Sequence, residues 1–136
     1  MDALALYRRG RYREALAQAQ QRGELKPAAL ALLALGKVAE AQTILETWQP
    51  QESVAEAERL TLLGFAAFRR GDPLTYRRLA LAAAQAAQTP LTLYHLAQKL
   101  PDDLTLWEAL LARLPEQDPR YPAARSWVKR LSARYR

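Results

Sequence analysis

The side chains able to do chemistry are few and far apart in this chain. A single histidine, His95, sits in "LTLYHLAQKL". A metal ligand on a helix wants company one turn away, and no second His stands four residues on. A packing or surface role is therefore expected for His95. Asp102 and Asp103 are adjacent acids, expected to cap the helix that begins at Leu104, where the N-terminal dipole favours negative charge. Glu52, Glu56 and Glu58 read as a solvated face. Cysteine is absent, which excludes disulfides, thiolate metal sites and cysteine nucleophiles and suits a reducing, cytoplasmic location. Gly-rich phosphate loops and nucleophile elbows are missing too. No catalytic residue, metal or cofactor is expected, and the chain reads as a non-enzyme.

Cations are the more conspicuous chemistry. Sixteen Arg and four Lys leave a net charge of +6 and a pI near 10. The charge alternates along the chain: residues 1–26, 61–90 and 121–136 are net basic, and 27–60 and 91–120 net acidic. Arg8-Arg9, Arg69-Arg70 and Arg77-Arg78 flank turn signals. At the C-terminal end Arg125, Lys129, Arg130, Arg134 and Arg136 fall on one side of a helical wheel. Trp127, Val128, Leu131 and Tyr135 fall on the other.

These residues must be positioned by helices. The chain has 27 Ala and 25 Leu but only three Val and one Ile, a balance that favours helix over strand. At 136 residues, half of them apolar, one all-α domain is expected. The start, MDALALYRRG, is not a secretory signal. The least charged stretch, 79–93, is too short and too polar to span a bilayer. Gly10, Gly23, Gly36 and Gly71 follow apolar-periodic runs, as residues that end helices do. Pro27, Pro73, Pro90, Pro101 and Pro122 suit helix starts, and Pro50, Pro115 and Pro119 stops or linkers. Nine helices are predicted over 2–9, 11–22, 26–35, 37–48, 52–70, 73–88, 90–99, 102–114 and 120–135. The intervening loops are short, so successive helices should run antiparallel.

"YRRGRYREALAQA" (7–19), "LALGKVAEAQTIL" (33–45) and "AFRRGDPLTYRRLA" (67–80) share one grammar: a helix, a glycine turn, an Ala-rich helix. Repeats of this size indicate stacked helical pairs. The pattern resembles the tetratricopeptide repeat, through Leu60, Leu63, Gly64 and Gly71 in one unit, Gly10, Tyr12, Ala15 and Pro27 in another, and Gly36, Ala41, Leu45 and Trp48 in a third. Tyr76 and Ala67 depart from it, the first helix of the second unit is short, and Pro101 replaces glycine in the fourth turn. The resemblance implies an α-α superhelix of about four hairpins (about 1–26, 27–51, 52–89 and 90–118) and a capping helix over 120–135. It also implies that Gly64 is small because the hairpin's two helices cross closely, so that a side chain would push them apart.

The resemblance further implies a non-catalytic scaffold whose first helices line a concave groove for a protein or peptide. Carried over by position, Tyr7, Arg8, Lys26, Leu30, Leu33, Phe65, Phe68 and Arg69 line it, joined by His95, Gln98 and Lys99. Phe65 and Phe68, three apart, need not both face it. Apolar in the middle and basic around, such a groove suits an acidic or carboxylate-terminated peptide. Two other partners stay open. A polyanion such as nucleic acid would use Arg125, Lys129, Arg130 and Arg134. A second copy would use the first hairpin, where Met1, Leu4 and Leu6 begin inside a packing helix that lacks a polar capping helix over it.

Overall fold

The structure, a computed structural model, describes residues 1–135; Arg136 lies outside the described residues. Among these the chain forms nine α-helices and no strand: α1 (Ala3–Arg8), α2 (Tyr12–Arg22), α3 (Leu25–Ala34), α4 (Val38–Thr47), α5 (Ser53–Arg69), α6 (Pro73–Ala86), α7 (Pro90–Lys99), α8 (Leu104–Arg113) and α9 (Tyr121–Tyr135). The protein is all-α. Each predicted helix is present, with ends displaced by two residues at most.

The starts of α1, α6, α7 and α8 use side-chain oxygens that catch free amides, whereas α2, α3, α4 and α5 begin without such a cap. Asp2 accepts from the Ala5 amide at 2.8 Å and Asp72 from the Thr75 amide at 3.1 Å. Thr89 and Thr92 form a reciprocal capping box ahead of α7. Asp103 accepts from the Leu106 amide at 3.2 Å. Asp102 does not cap; it stands one residue too early and faces Arg134 at 3.5 Å instead. Pro101 does not start a helix either. It lies in the turn before α8, and its carbonyl accepts the indole N–H of Trp107 at 2.9 Å. The turns after α1, α2, α3 and α5 place Gly10, Gly23, Gly36 and Gly71 at φ between 68° and 80°, where a side chain would collide with the backbone.

Every helix packs on the next, and α1, α3, α5 and α7 also touch in succession. These four run parallel: Arg69 at the end of α5 bonds the Leu33 carbonyl at the end of α3, Lys99 at the end of α7 covers Phe68 of α5, and Lys26 at the start of α3 pairs with Glu58 near the start of α5. Hairpins thus stack side by side, their first helices forming one wall. Alanine makes the close packing possible, because a lone methyl lets helix backbones approach. Ala15, Ala19, Ala29, Ala31, Ala41, Ala66, Ala67, Ala83, Ala97 and Ala124 are fully enclosed. Leucines fill the wider gaps in two main cores. Leu32, Leu45 and Leu62 centre one across α3–α5, and Leu93, Trp107, Leu110 and Leu131 centre the other across α7–α9. Ala80, Ala84 and Leu96 join α6 to α7 between them.

Two further expectations are corrected by packing. A Cβ built on Gly64 would lie 3.6 Å from the Leu79 Cβ and 3.6 Å from the Tyr76 ring. That is ordinary contact, so α5 and α6 are close but leave room for a methyl. On α9, Leu131 is buried and Trp127 half-buried, whereas Tyr135 is 60% exposed and does not belong to the packed face.

Candidate functional site

The parallel wall of α1, α3 and α5 holds an open apolar cavity of about 390 Å³, within the range of ligand pockets. Tyr7 lines it from α1. Leu30, Leu33 and Ala34 line it from α3, and Leu62, Phe65, Phe68 and Arg69 from α5. Six of the eleven groove residues expected from sequence therefore meet here: Tyr7, Leu30, Leu33, Phe65, Phe68 and Arg69. Ala34 and Leu62 were missed. Both follow from the helical spacing of the others, since Ala34 is four residues past Leu30 and Leu62 is three before Phe65. Phe65 and Phe68 both line the cavity; Phe68 is 56% exposed.

The other five stand elsewhere. Arg8 is exposed and does not line the cavity. Lys26 is engaged by the Glu58 carboxylate. His95 and Lys99, with exposed Gln98 on the same helix, extend the wall on α7. The His95 ring meets Phe65 edge-on at 4.8 Å between centroids. The Lys99 ammonium lies 4.4 Å from the Tyr76 ring centroid and 5.1 Å from that of Phe68. Phe65, Phe68, Tyr76 and His95 thus form a continuous aromatic cluster, and it anchors the α7 end of the groove to the fold.

Electrostatics refines the picture. Arg69 is a groove residue whose guanidinium is already used: it donates to the Leu33 carbonyl at the α3 C-terminus, where positive charge complements the helix dipole. The Glu52, Glu56 and Glu58 face is only partly a free one. Glu56 pairs with Arg59 at 2.8 Å, which lowers its pKa, and Glu58 holds Lys26. Behind Phe65 a void of only about 10 Å³ is bounded by Thr61, Gly64, Tyr76, Ala80, Thr92 and His95, room for one water at most. The hydroxyls facing it are already bonded, Thr61 to the Ala57 carbonyl at 2.8 Å and Thr92 to that of Ala87 at 2.7 Å. Among the described residues, Nδ1 of His95 is buried without a hydrogen-bond partner. Burial pushes the His95 pKa below its ordinary value, and Arg120 and Lys99 push it the same way. No cluster of three His, Asp or Glu side chains that could hold a metal occurs among the described residues.

The basic end of the chain is arranged differently. Arg125, Lys129, Arg130 and Arg134 are all exposed on α9. The Arg130 guanidinium lies 4.5 Å from the Trp127 ring centroid. Trp127 in turn stacks on Trp107 of α8 at 5.4 Å and 8° between planes. Arg134 faces Asp102. At the other end, Met1 is 60% exposed, Leu4 half-buried and Leu6 buried, so little of the first helix is left bare.

A family model described as "YTH3-like protein, third C-terminal helical domain" matches residues 101–136, about a quarter of the chain. The matched stretch holds α8 and α9, the two helices joined by the tryptophan stack. No curated protein and no solved structure matches the chain. No helix among the described residues is long and apolar enough to cross a membrane.

Proposed function

We propose that the protein is a non-catalytic interaction module that holds a segment of another protein against the wall formed by α1, α3 and α5. One observation carries this reading: a cavity of about 390 Å³ floored by Leu30, Leu33, Leu62, Phe65 and Phe68, with no carboxylate in its lining. An apolar hollow of that size on the surface favours burial of a partner's apolar side chains. The likeness of the helix–glycine–helix grammar to tetratricopeptide units supports it, because those units use the same wall.

The test is selection of short random displayed peptides on the purified chain, followed by titration. Ala34 is exposed in the cavity and helix-compatible, so Ala34→Trp fills the hollow without touching the core. Binders should weaken at least about tenfold on Ala34→Trp and be indifferent to Arg130→Glu. Absence of binders, or binders indifferent to Ala34→Trp, would defeat the reading.

A second reading rests on α9, which carries Arg125, Lys129, Arg130 and Arg134 and no acidic residue from Tyr121 to Tyr135. A cationic helix of this kind attracts polyanions. Oligonucleotide affinity that survives moderate salt and falls on paired Arg130→Glu and Lys129→Glu changes would favour it. Affinity that vanishes with salt leaves nonspecific attraction alone.

A further inference from the structure

The cations around the groove are not equivalent. Lys26 is held by Glu58, and Arg69 by the Leu33 carbonyl. Lys99 makes no ion pair among the described residues. Its ammonium rests on the Tyr76 and Phe68 rings, which attract a cation through their faces. Three N–H donors leave it able to meet a carboxylate without leaving the rings.

Topology adds a field around it. Because α1, α3, α5 and α7 are parallel, their C-terminal ends share one edge, with Arg8, Arg9, Lys37, Arg69, Arg70 and Lys99. Most carboxylates there are engaged: Glu14 pairs with Arg11, Asp72 and Asp103 cap helices, and Asp102 faces Arg134. Glu40 is the exception. The opposite edge is mixed: Glu24, Glu46, Glu52 and Glu116 stand there beside Glu58 paired with Lys26, Glu56 with Arg59 and Asp118 with Arg120. The hollow lies at the basic edge, since its residues come from the C-terminal halves of α1, α3 and α5.

Taking the groove as the binding site, we infer that its guest is an apolar segment of a partner protein with a carboxylate side chain at the α7 end, and that Lys99 is the residue that selects it. The apolar anchors lie over Leu30, Leu33 and Phe65, and the acid reaches past Phe68 to Lys99. A nucleic acid fits less well, because backbone phosphates need a row of cations. The hollow's own lining holds a single cation, Arg69, already bonded to the Leu33 carbonyl, so the row of cations runs along its edge and not through it.

The experiment uses the full chain and the displayed peptides described above. Peptides lost on Ala34→Trp should be enriched in Asp or Glu beside apolar residues. Replacing the peptide's Glu by Gln should weaken binding roughly 3- to 10-fold, and Lys99→Gln should do the same. The two changes together should cost no more than either alone. Lys99→Glu should turn the preference toward peptides carrying Lys. Circular dichroism should show Lys99→Gln and Ala34→Trp folded; Lys99→Arg, retaining charge and ring contact, should bind nearly as the parent does.

Peptides that need an open hollow but carry no acid and ignore Lys99→Gln overturn the inference and leave the groove reading standing. Peptides indifferent to Ala34→Trp remove both. Capture of single-stranded oligothymidine in the hollow, or a dimer of the chain lost on Ala34→Trp, would each assign another occupant and overturn it.

Discussion

Gly64 and Gly71 differ in kind: one is helical with space beside it, the other turns left-handed at φ 78°. Glycine costs a helix interior about 1 kcal/mol relative to alanine. Gly64→Ala is therefore expected to leave stability unchanged or raise it by up to about 1 kcal/mol, whereas Gly71→Ala should lower it by about 1–2 kcal/mol. Urea denaturation of the two variants checks this, and a Gly64→Ala loss as large as that of Gly71→Ala would restore the close-crossing explanation. His95 makes the pH prediction. Its folded pKa lies below its ordinary value near 6.5, so the unfolded chain takes up the proton first. Its neutral form supports the fold above that value, and stability should fall as pH drops through about 6.5 and below. His95→Phe should flatten this slope in urea midpoints taken between neutral and mildly acidic pH. An unchanged slope would place the proton uptake elsewhere.

At the scale of the element, caps and helix ends decide more than the number of charges. Asp103 bonds the Leu106 amide and Asp102 bonds no amide. Asp103→Ala is expected to cost about 1 kcal/mol, and Asp102→Ala less than about 0.5 kcal/mol, since its pair with Arg134 is exposed. Equal losses would mean that the acids act through the helix dipole alone. Arg69 joins the ends of α3 and α5 through the Leu33 carbonyl. Arg69→Gln should therefore weaken the fold by about 1 kcal/mol as well as altering the groove. Peptide affinity and urea stability measured on the same variant separate the two effects. Legibility also divides at this scale. The Asp-Asp pair signalled a helix start correctly, but which acid caps depends on a one-residue offset that composition does not reveal.

The whole molecule is a succession of neighbours, with each helix packed on the next and its first helices aligned as a wall. In such an array stability is shared mainly between adjacent units. Leu110 is fully buried in the C-terminal core, and Leu110→Ala is expected to cost about 2–5 kcal/mol. Amide hydrogen exchange should then quicken in α7, α8 and α9 while α2–α4 keep their protection. Equal quickening throughout would show one cooperative core instead. The family match ends within this same region, covering α8 and α9, while α7 supplies Leu93 and Ala97 to complete their core.

Helix type, helix number and the four glycine turns were decided by the sequence alone. They are local: proline and glycine constrain φ within one residue, and apolar spacing repeats within two turns. The groove was partly legible for the same reason, since Leu30 with Leu33 and Phe65 with Phe68 announce a shared face once the helices are drawn. Only the tertiary structure paired Lys26 with Glu58, bound Arg69 to Leu33, laid Lys99 on Phe68 and Tyr76, and left space beside Gly64. Those contacts join residues 12 to 36 positions apart or depend on how closely two helices approach, and no local periodicity carries that distance.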